Sequence, residues 1–343
     1  MTNRHVMARK PVIFSTLGDA GGIGPEIVAR SLGHPDATNG VRRLIVGPLH
    51  VFETGCQIAG VNAQLPAFTD IDEALASDSS LAFLEYNPSG LSEPETGIAS
   101  AASGVCDLDV ARLGADLSVQ GRVDGFVFAP VNKLSLKLGG SRFEGYKAYI
   151  AEHLGVKASS AEINTIGHLW TTRVTSHVSI SDVPKLVTKA SVLETIRYFD
   201  RELRRFGHED PRIAVSGLNP HNGDGGMFGL EEIDHIGPAV EEARKVCRNV
   251  DGPFPPDTVF LTAQREGYLG VVSMYHDQCQ IATKLLGFDA GVTYFGGLPF
   301  PITTPAHGTA YDIAGKGVAS ETPMVNALKL MRRAALTAKG LPA

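Results

Sequence analysis

Three histidines stand in polar settings along the chain: Ser176-His177, Asn219-Pro220-His221 and Tyr275-His276-Asp277. Neutral imidazoles bind zinc and similar divalent ions, and a catalytic centre needs three protein ligands with one position left open. Their spacing is too wide for a local metal motif. Taken alone they also read as ordinary hydrogen-bonded members of a set of eleven histidines. His221 is the most suggestive, because Asn222-Gly223-Asp224-Gly225-Gly226 follows it and such a loop presents a side chain at the rim of a sheet.

Two further stretches carry glycine where a backbone must approach a ligand or turn sharply. Gly18-Asp19-Ala20-Gly21-Gly22-Ile23-Gly24-Pro25-Glu26 follows an apolar run, and Pro25 suits the first position of a helix. It is not the usual dinucleotide fingerprint, and a plain glycine-rich turn accounts for it as well. His307-Gly308-Thr309-Ala310-Tyr311-Asp312-Ile313-Ala314-Gly315 offers small residues for close contact with a planar or phosphorylated ligand. Asp312 there is able to accept from a ribose or adenine donor, or simply to assist the first turn of a helix. In Ala129-Pro130-Val131-Asn132-Lys133, Asn132 and Lys133 leave a strand where loops line ligand sites. Lys284 is another candidate cation; solvated surface is the alternative for either lysine.

The elements that must position these residues alternate strand and helix. Residues 11–17, 44–46, 81–84, 125–129, 213–217 and 268–274 read as buried strands, with helices at 25–32 and 101–120. This grammar predicts an α/β fold with largely parallel sheets. The chain has 343 residues, more than a single core usually supports, so two lobes are expected. A net charge of -6 argues against wrapping nucleic acid. Four widely separated cysteines suit reduced thiols in a cytoplasmic protein, and no apolar run is long enough for export or membrane spanning.

Taken together these strings resemble the 4-hydroxythreonine-4-phosphate dehydrogenase family, from near the N-terminus to about residue 320. The matches are the 18–26 turn, 129–133, Gly217-Leu218-Asn219-Pro220-His221, Met274-Tyr275-His276-Asp277-Gln278 and 307–315. The 307–315 string is also similar to the cofactor loop of isopropylmalate and isocitrate dehydrogenases. The resemblance implies an α/β/α subunit of two lobes, 1–133 plus 301–343 and 134–300, with the active site in the cleft between them. It implies an obligate homodimer, and a divalent metal held by His177 and His221 of one subunit and His276 of the other. Zinc is the leading candidate, with iron, cobalt or manganese as alternatives. Lys284 and Asp257 fall at catalytic positions, and His307, Gly308, Ala310 and Asp312 would border NAD. NAD is expected over NADP because no arginine pair is assignable to a 2′-phosphate.

The chain departs from the phosphate-substrate enzymes of that family. Gly145-Tyr146-Lys147-Ala148 stands where they carry Gly-His-Thr-Glu, Thr293 where they carry asparagine, and Ile302 near an arginine. Losing those groups removes charge-assisted bonds to a phosphate dianion. Phe143-Glu144-Gly145-Tyr146 and the 227–231 stretch look instead like the branch containing terephthalate 1,2-cis-dihydrodiol dehydrogenase. The expectation is therefore NAD-linked oxidation and decarboxylation of a carboxylated cis-dihydrodiol to protocatechuate. In that reading Lys284 takes the hydroxyl proton, Tyr146 walls a carbocycle, and Lys147, Asn132 and Lys133 are candidates to meet the substrate. Two alternatives stand beside it: a dehydrogenase of a phosphorylated four-carbon hydroxy acid, such as 4-phosphohydroxy-threonine or phosphoerythronate, and a non-catalytic nucleotide- or acid-binding protein.

Overall fold

Val12, Ile13 and Phe14 are wholly buried in strand β1 (Val12–Thr16), the centre of the first of two compact units. The computed structural model describes residues 9–92, 94–143, 145–156, 162–287 and 290–342. The first unit comprises Met1–Leu154 and Gly308–Ala343, and the second Gly155–His307.

In the first unit β1 is joined by β2 (Arg42–Gly47), β3 (Ala67–Phe68), β4 (Leu81–Glu85) and β5 (Gly125–Phe128) in the order β3-β4-β2-β1-β5. Every pairing among them is parallel. The strands β1, β2 and β5 are buried along their whole length, as continuous apolar runs between covering helices must be. Helix Ala101–Val119 brings Gly114 against the edge-on pair Phe14 and Phe126, whose ring centroids lie 5.1 Å apart. A methyl group on Gly114 would sit 2.7 Å from the Phe14 ring, so only glycine allows the helix to pack this closely. Helix Thr322–Ala338 presses Met331 onto Gly125 in the same unit.

The second unit contains β6 (Ile163–Ile166), β7 (Leu169–Arg173), β8 (Ile213–Ser216), β9 (Val250–Phe254), β10 (Gly270–Ser273), β11 (Val292–Tyr294) and β12 (Ile302–Pro305). Their order is β12-β11-β6-β7-β10-β8-β9. The pairs β7–β10, β10–β8 and β8–β9 are parallel, as expected. The pairs β6–β7, β6–β11 and β11–β12 are antiparallel. This antiparallel half was not foreseen, because Asn164, Thr165 and the threonines of β7 interrupt the apolar runs that mark buried strands. Gly167 and His168 close the β6–β7 hairpin, with Gly167 at φ 57°, where a side chain is strained. Helix Lys189–Arg205 is opened by a reciprocal Thr188–Ser191 capping box and buries Ile196, Phe199 and Leu203.

All four cysteines are buried and free. Among the described residues no helix is long and apolar enough to cross a membrane.

Candidate active site

Strands β7, β8, β9 and β10 are mutually parallel neighbours, so their carboxyl ends lie at one edge of the second unit's sheet. His177, His221, Asp257 and His276 each follow one of these ends. That edge is where open α/β sheets gather ligands. Beyond β7, Val174 N–H donates to the Ser273 carbonyl at 2.9 Å and Thr175 N–H to the Met274 carbonyl at 3.0 Å. The ladder thus continues past both strands, and the His177 and His276 rings meet with centroids 5.8 Å apart. His276 Nδ1 lies 2.6 Å from the Asp277 carboxylate. A carboxylate on one ring nitrogen orients the other toward a cation. Gln278 binds the root of the next loop, accepting from Met274 N–H at 2.9 Å and donating to the Gly217 carbonyl at 3.2 Å.

His221 sits in a loop of unusual backbone. His221, Asn222 and Asp224 have φ of 52°, 56° and 44°, and Gly223 and Gly225 share this left-handed region. Each non-glycine residue there costs roughly 1–2 kcal/mol, so the surroundings must hold the loop in place. Buried Glu232 accepts from the backbone N–H groups of Leu218 and Asn219, both at 2.7 Å. Asn219 Nδ2 donates to Glu232 and Glu231, and Asn222 Nδ2 to the Pro253 carbonyl at 2.8 Å. His221 is left exposed. Among the described residues no group of three His, Cys, Asp or Glu side chains forms that could hold a metal within one chain. The donor chemistry of these imidazoles, with Asp277 behind the His276 ring, suits ligands of a divalent ion.

Beside His276 lies a cavity of about 260 Å³. His276, Gln280 and Thr283 recur at helical spacing on helix His276–Gly287 and line it together with Lys284, Asn164 and Thr293. Asp257 stands exposed on the turn after β9, outside that lining. Asn164 and Thr283 carry no motif and escaped the sequence reading. For Asn164 the available signal was a polar side chain between Ile163 and Ile166; Thr283 lies on a helix and gave none.

The first unit uses its polar residues differently. Asn132 caps helix Lys133–Leu138, accepting from Leu134 N–H at 2.8 Å and Ser135 N–H at 3.1 Å, while Lys133 is exposed at its first turn. Ile23 N–H donates to the Thr309 carbonyl at 3.0 Å, and a methyl group on Gly22 would strike Thr309. The glycine-rich turn is thus where the 308–312 loop seats. Ala310 takes φ 44°, Gly308 and Asp312 are exposed, and residues 311–315 form turns rather than the start of a helix. His307 ends the second unit, half-buried. The Tyr311 hydroxyl donates to Asp19 at 3.0 Å and meets Ser135 Oγ at 3.3 Å.

Tyr146, expected to wall a carbocycle, is instead a buried core residue. It is 1% exposed, packs on Phe128 at 4.8 Å, and donates its hydroxyl to the Asp107 carbonyl at 2.8 Å. Lys147 follows it, half-buried, on helix Tyr146–His153; Glu144 lies outside the described residues. Asp107 is buried beside Asp19, and burial first, then the Asp19 charge, hold its carboxyl well above the usual range.

The fold is that of a dehydrogenase-type α/β enzyme, as comparison with known proteins shows. Residues 40–331 match the family described as pyridoxal phosphate biosynthetic protein PdxA, and the chain belongs to that family. A putative 4-hydroxythreonine-4-phosphate dehydrogenase 2 of Rhizobium meliloti is 40% identical over 98% of this chain and 96% of its own length. A putative D-threonate 4-phosphate dehydrogenase of Oceanobacillus iheyensis is 34% identical, covering 94% of this chain and 97% of its own. The crystal structure of a 4-hydroxythreonine-4-phosphate dehydrogenase from Burkholderia phymatum superposes with a TM-score of 0.80 at 35% identity, over 94% of this chain and 98% of that one. The chain is an oxidoreductase.

These likenesses overturn the dihydrodiol reading. A terephthalate 1,2-cis-dihydrodiol dehydrogenase from Burkholderia xenovorans shares only 23% identity, with a TM-score of 0.67 over 95% of this chain and 98% of that one. That likeness extends to the fold alone. Tyr146, which supported a carbocycle pocket, is part of the core of the first unit.

Proposed function

We propose that this chain is a metal-dependent dehydrogenase using an NAD-type cofactor to oxidise a secondary hydroxyl on a small phosphorylated four-carbon hydroxy acid. The observation that carries the reading is that His177, His221 and His276 each follow the carboxyl end of one of three neighbouring parallel strands, with a cavity lined by Lys284 beside His276. The names of the relatives supply the substrate class, 4-hydroxythreonine 4-phosphate or D-threonate 4-phosphate.

His177, His221 and His276 are the proposed metal ligands, the last from a second copy, so that the working unit is a homodimer. In support, the apolar side chains of Met227, Phe228, Leu230, Ile281 and Leu285 are exposed close in sequence to His221 and His276. Such residues grouped at a surface favour a protein partner. When bound, a divalent cation polarises the substrate oxygens and a nicotinamide ring accepts hydride. Lys284 Nζ, on the cavity wall, is the proposed acceptor of the hydroxyl proton, with Asp257 a second carrier outside the cavity lining. His307, Gly308, Ala310 and Asp312 are proposed to border the cofactor, with the exposed Asp312 carboxylate receiving ribose hydroxyls.

The test is NADH formation from each of the two named phosphorylated acids, with and without a chelator. Chelator-sensitive NADH with either compound is the expected result. No NADH with either, in metal-replete dimeric protein, rejects the reading.

A further inference from the structure

The cavity beside His276 and Lys284 holds a buried donor that no group among the described residues uses. Strands β6 and β11 run antiparallel with Asn164 directly opposite Thr293. The Thr293 hydroxyl donates to Asn164 Oδ1 at 3.1 Å, fixing the amide by its carbonyl end. Asn164 is 6% exposed, lines the cavity, and its Nδ2 has no partner among the described residues. A buried amide N–H without an acceptor is costly, and a native protein that keeps one usually supplies its partner in another form.

The other groups around the cavity narrow the partner. Thr283 donates its hydroxyl to the Cys279 carbonyl at 2.6 Å and so offers only lone pairs. One Glu162 oxygen is engaged by buried Arg173 at 2.7 Å, and that arginine also donates to Ser176 Oγ at 2.9 Å. Buried Arg173 balances the Glu162 carboxylate on the cavity wall, so that acid does not by itself exclude an anionic guest.

We propose that Asn164 is a specificity-determining residue: its Nδ2 donates to an anionic oxygen of the substrate, and Thr293 is the positioning residue that turns it there. The proposal rests on the dehydrogenase reading above and adds to it the residue that recognises the acid. A hydrogen bond to a charged oxygen is stronger than a neutral one and its loss leaves that oxygen unpaired.

Calorimetric binding of D-threonate 4-phosphate and of 4-hydroxythreonine 4-phosphate to the metal-loaded protein tests this without requiring turnover. Asn164→Leu should weaken binding on the order of ten- to a hundredfold and raise KM by a like factor. Its kcat should stay within about threefold and its KM for the cofactor should not move, as for lost ground-state binding. Asn164→Asp, which keeps the shape and replaces the donor with a negative charge, should bind more weakly still, and it serves if the leucine variant does not fold. Exchanging the pair, Asn164→Thr with Thr293→Asn, returns an amide to the facing strand and should recover a large part of the affinity. Unchanged binding by a folded Asn164→Leu, or tighter binding by Asn164→Asp, overturns the proposal while leaving the dehydrogenase reading intact. A wild-type protein that binds neither acid overturns both.

Discussion

The glycine-rich turn with its 308–312 loop and the loop that carries His221 are both rich in glycine and polar residues, yet they treat those residues oppositely. In the first unit the polar groups close on one another: Asp19 accepts from Gly21 N–H at 2.9 Å and from Tyr311, Ala20 N–H donates to Ser103, and Asn132 caps a helix. In the second unit a strained backbone, held from behind by Glu232, leaves the imidazole of His221 exposed. Closed networks build a scaffold and give it rigidity. Strain maintained by its surroundings, with a reactive group left over, points to a site.

The largest expected effect tests the exposed side of this contrast. His221→Ala should lower kcat on the order of a thousandfold, the several kcal/mol that a Lewis-acid cation supplies, and should reduce the metal bound per chain. Loop strain is separated from ligand loss by His221→Asn, because asparagine suits left-handed backbone but is a poor ligand. It should lose turnover equally, as followed by NADH formation and metal analysis. A fully active, metal-poor variant of either kind would remove the basis for treating this loop as the site.

A smaller effect tests the closed side. Tyr311→Phe deletes the hydroxyl that joins Asp19 to Ser135 and leaves a buried carboxylate oxygen short of a donor. The loss is about 1–3 kcal/mol, or roughly 1–4 °C in Tm for a protein of this size, with kcat little changed. If calorimetry shows no change in melting while turnover collapses, Tyr311 belongs to the chemistry and the two regions are not opposites.

The apolar runs made parallel strands of both units legible. The runs at 11–17, 125–129, 213–217 and 268–274 appear as β1, β5, β8 and β10, because wholly buried strands must be apolar throughout. The antiparallel half was hidden: β6 reads Ile-Asn-Thr-Ile, and the asparagine that obscures the strand is the one whose amide lines the cavity. Thr293 looked like a lost asparagine, since one residue alone cannot show that its partner across the ladder carries an amide. Tyr146 misled for a similar reason. An aromatic residue in a polar stretch resembles a ligand wall until the fold shows Phe128 against its face and a carbonyl at its hydroxyl. The three histidines could be singled out only through their strings, while the approach of His177 to His276 depends on register beyond β7 and β10 that no spacing reveals.

The smallest effect concerns the deepest group of the closed region. Asp107 is enclosed with Asp19 and Tyr146 close by, and its folded pKa is raised well above 3.8 by burial and then by the Asp19 charge. A carboxyl with a raised folded pKa binds its proton more tightly folded than unfolded. Its contribution is therefore complete below the unfolded pKa and is lost as pH climbs toward the folded one. Wild-type stability should fall across that window for this reason, whatever other groups add. Asp107→Asn has no proton to lose: its melting temperature should exceed the wild-type value by a few degrees at about pH 8 and differ little at about pH 4, near the unfolded carboxyl pKa. Scanning calorimetry of both proteins across this range would decide it. Parallel pH profiles would mean that Asp107 ionises alike in both states, and that the first unit's buried network is not closed around a proton.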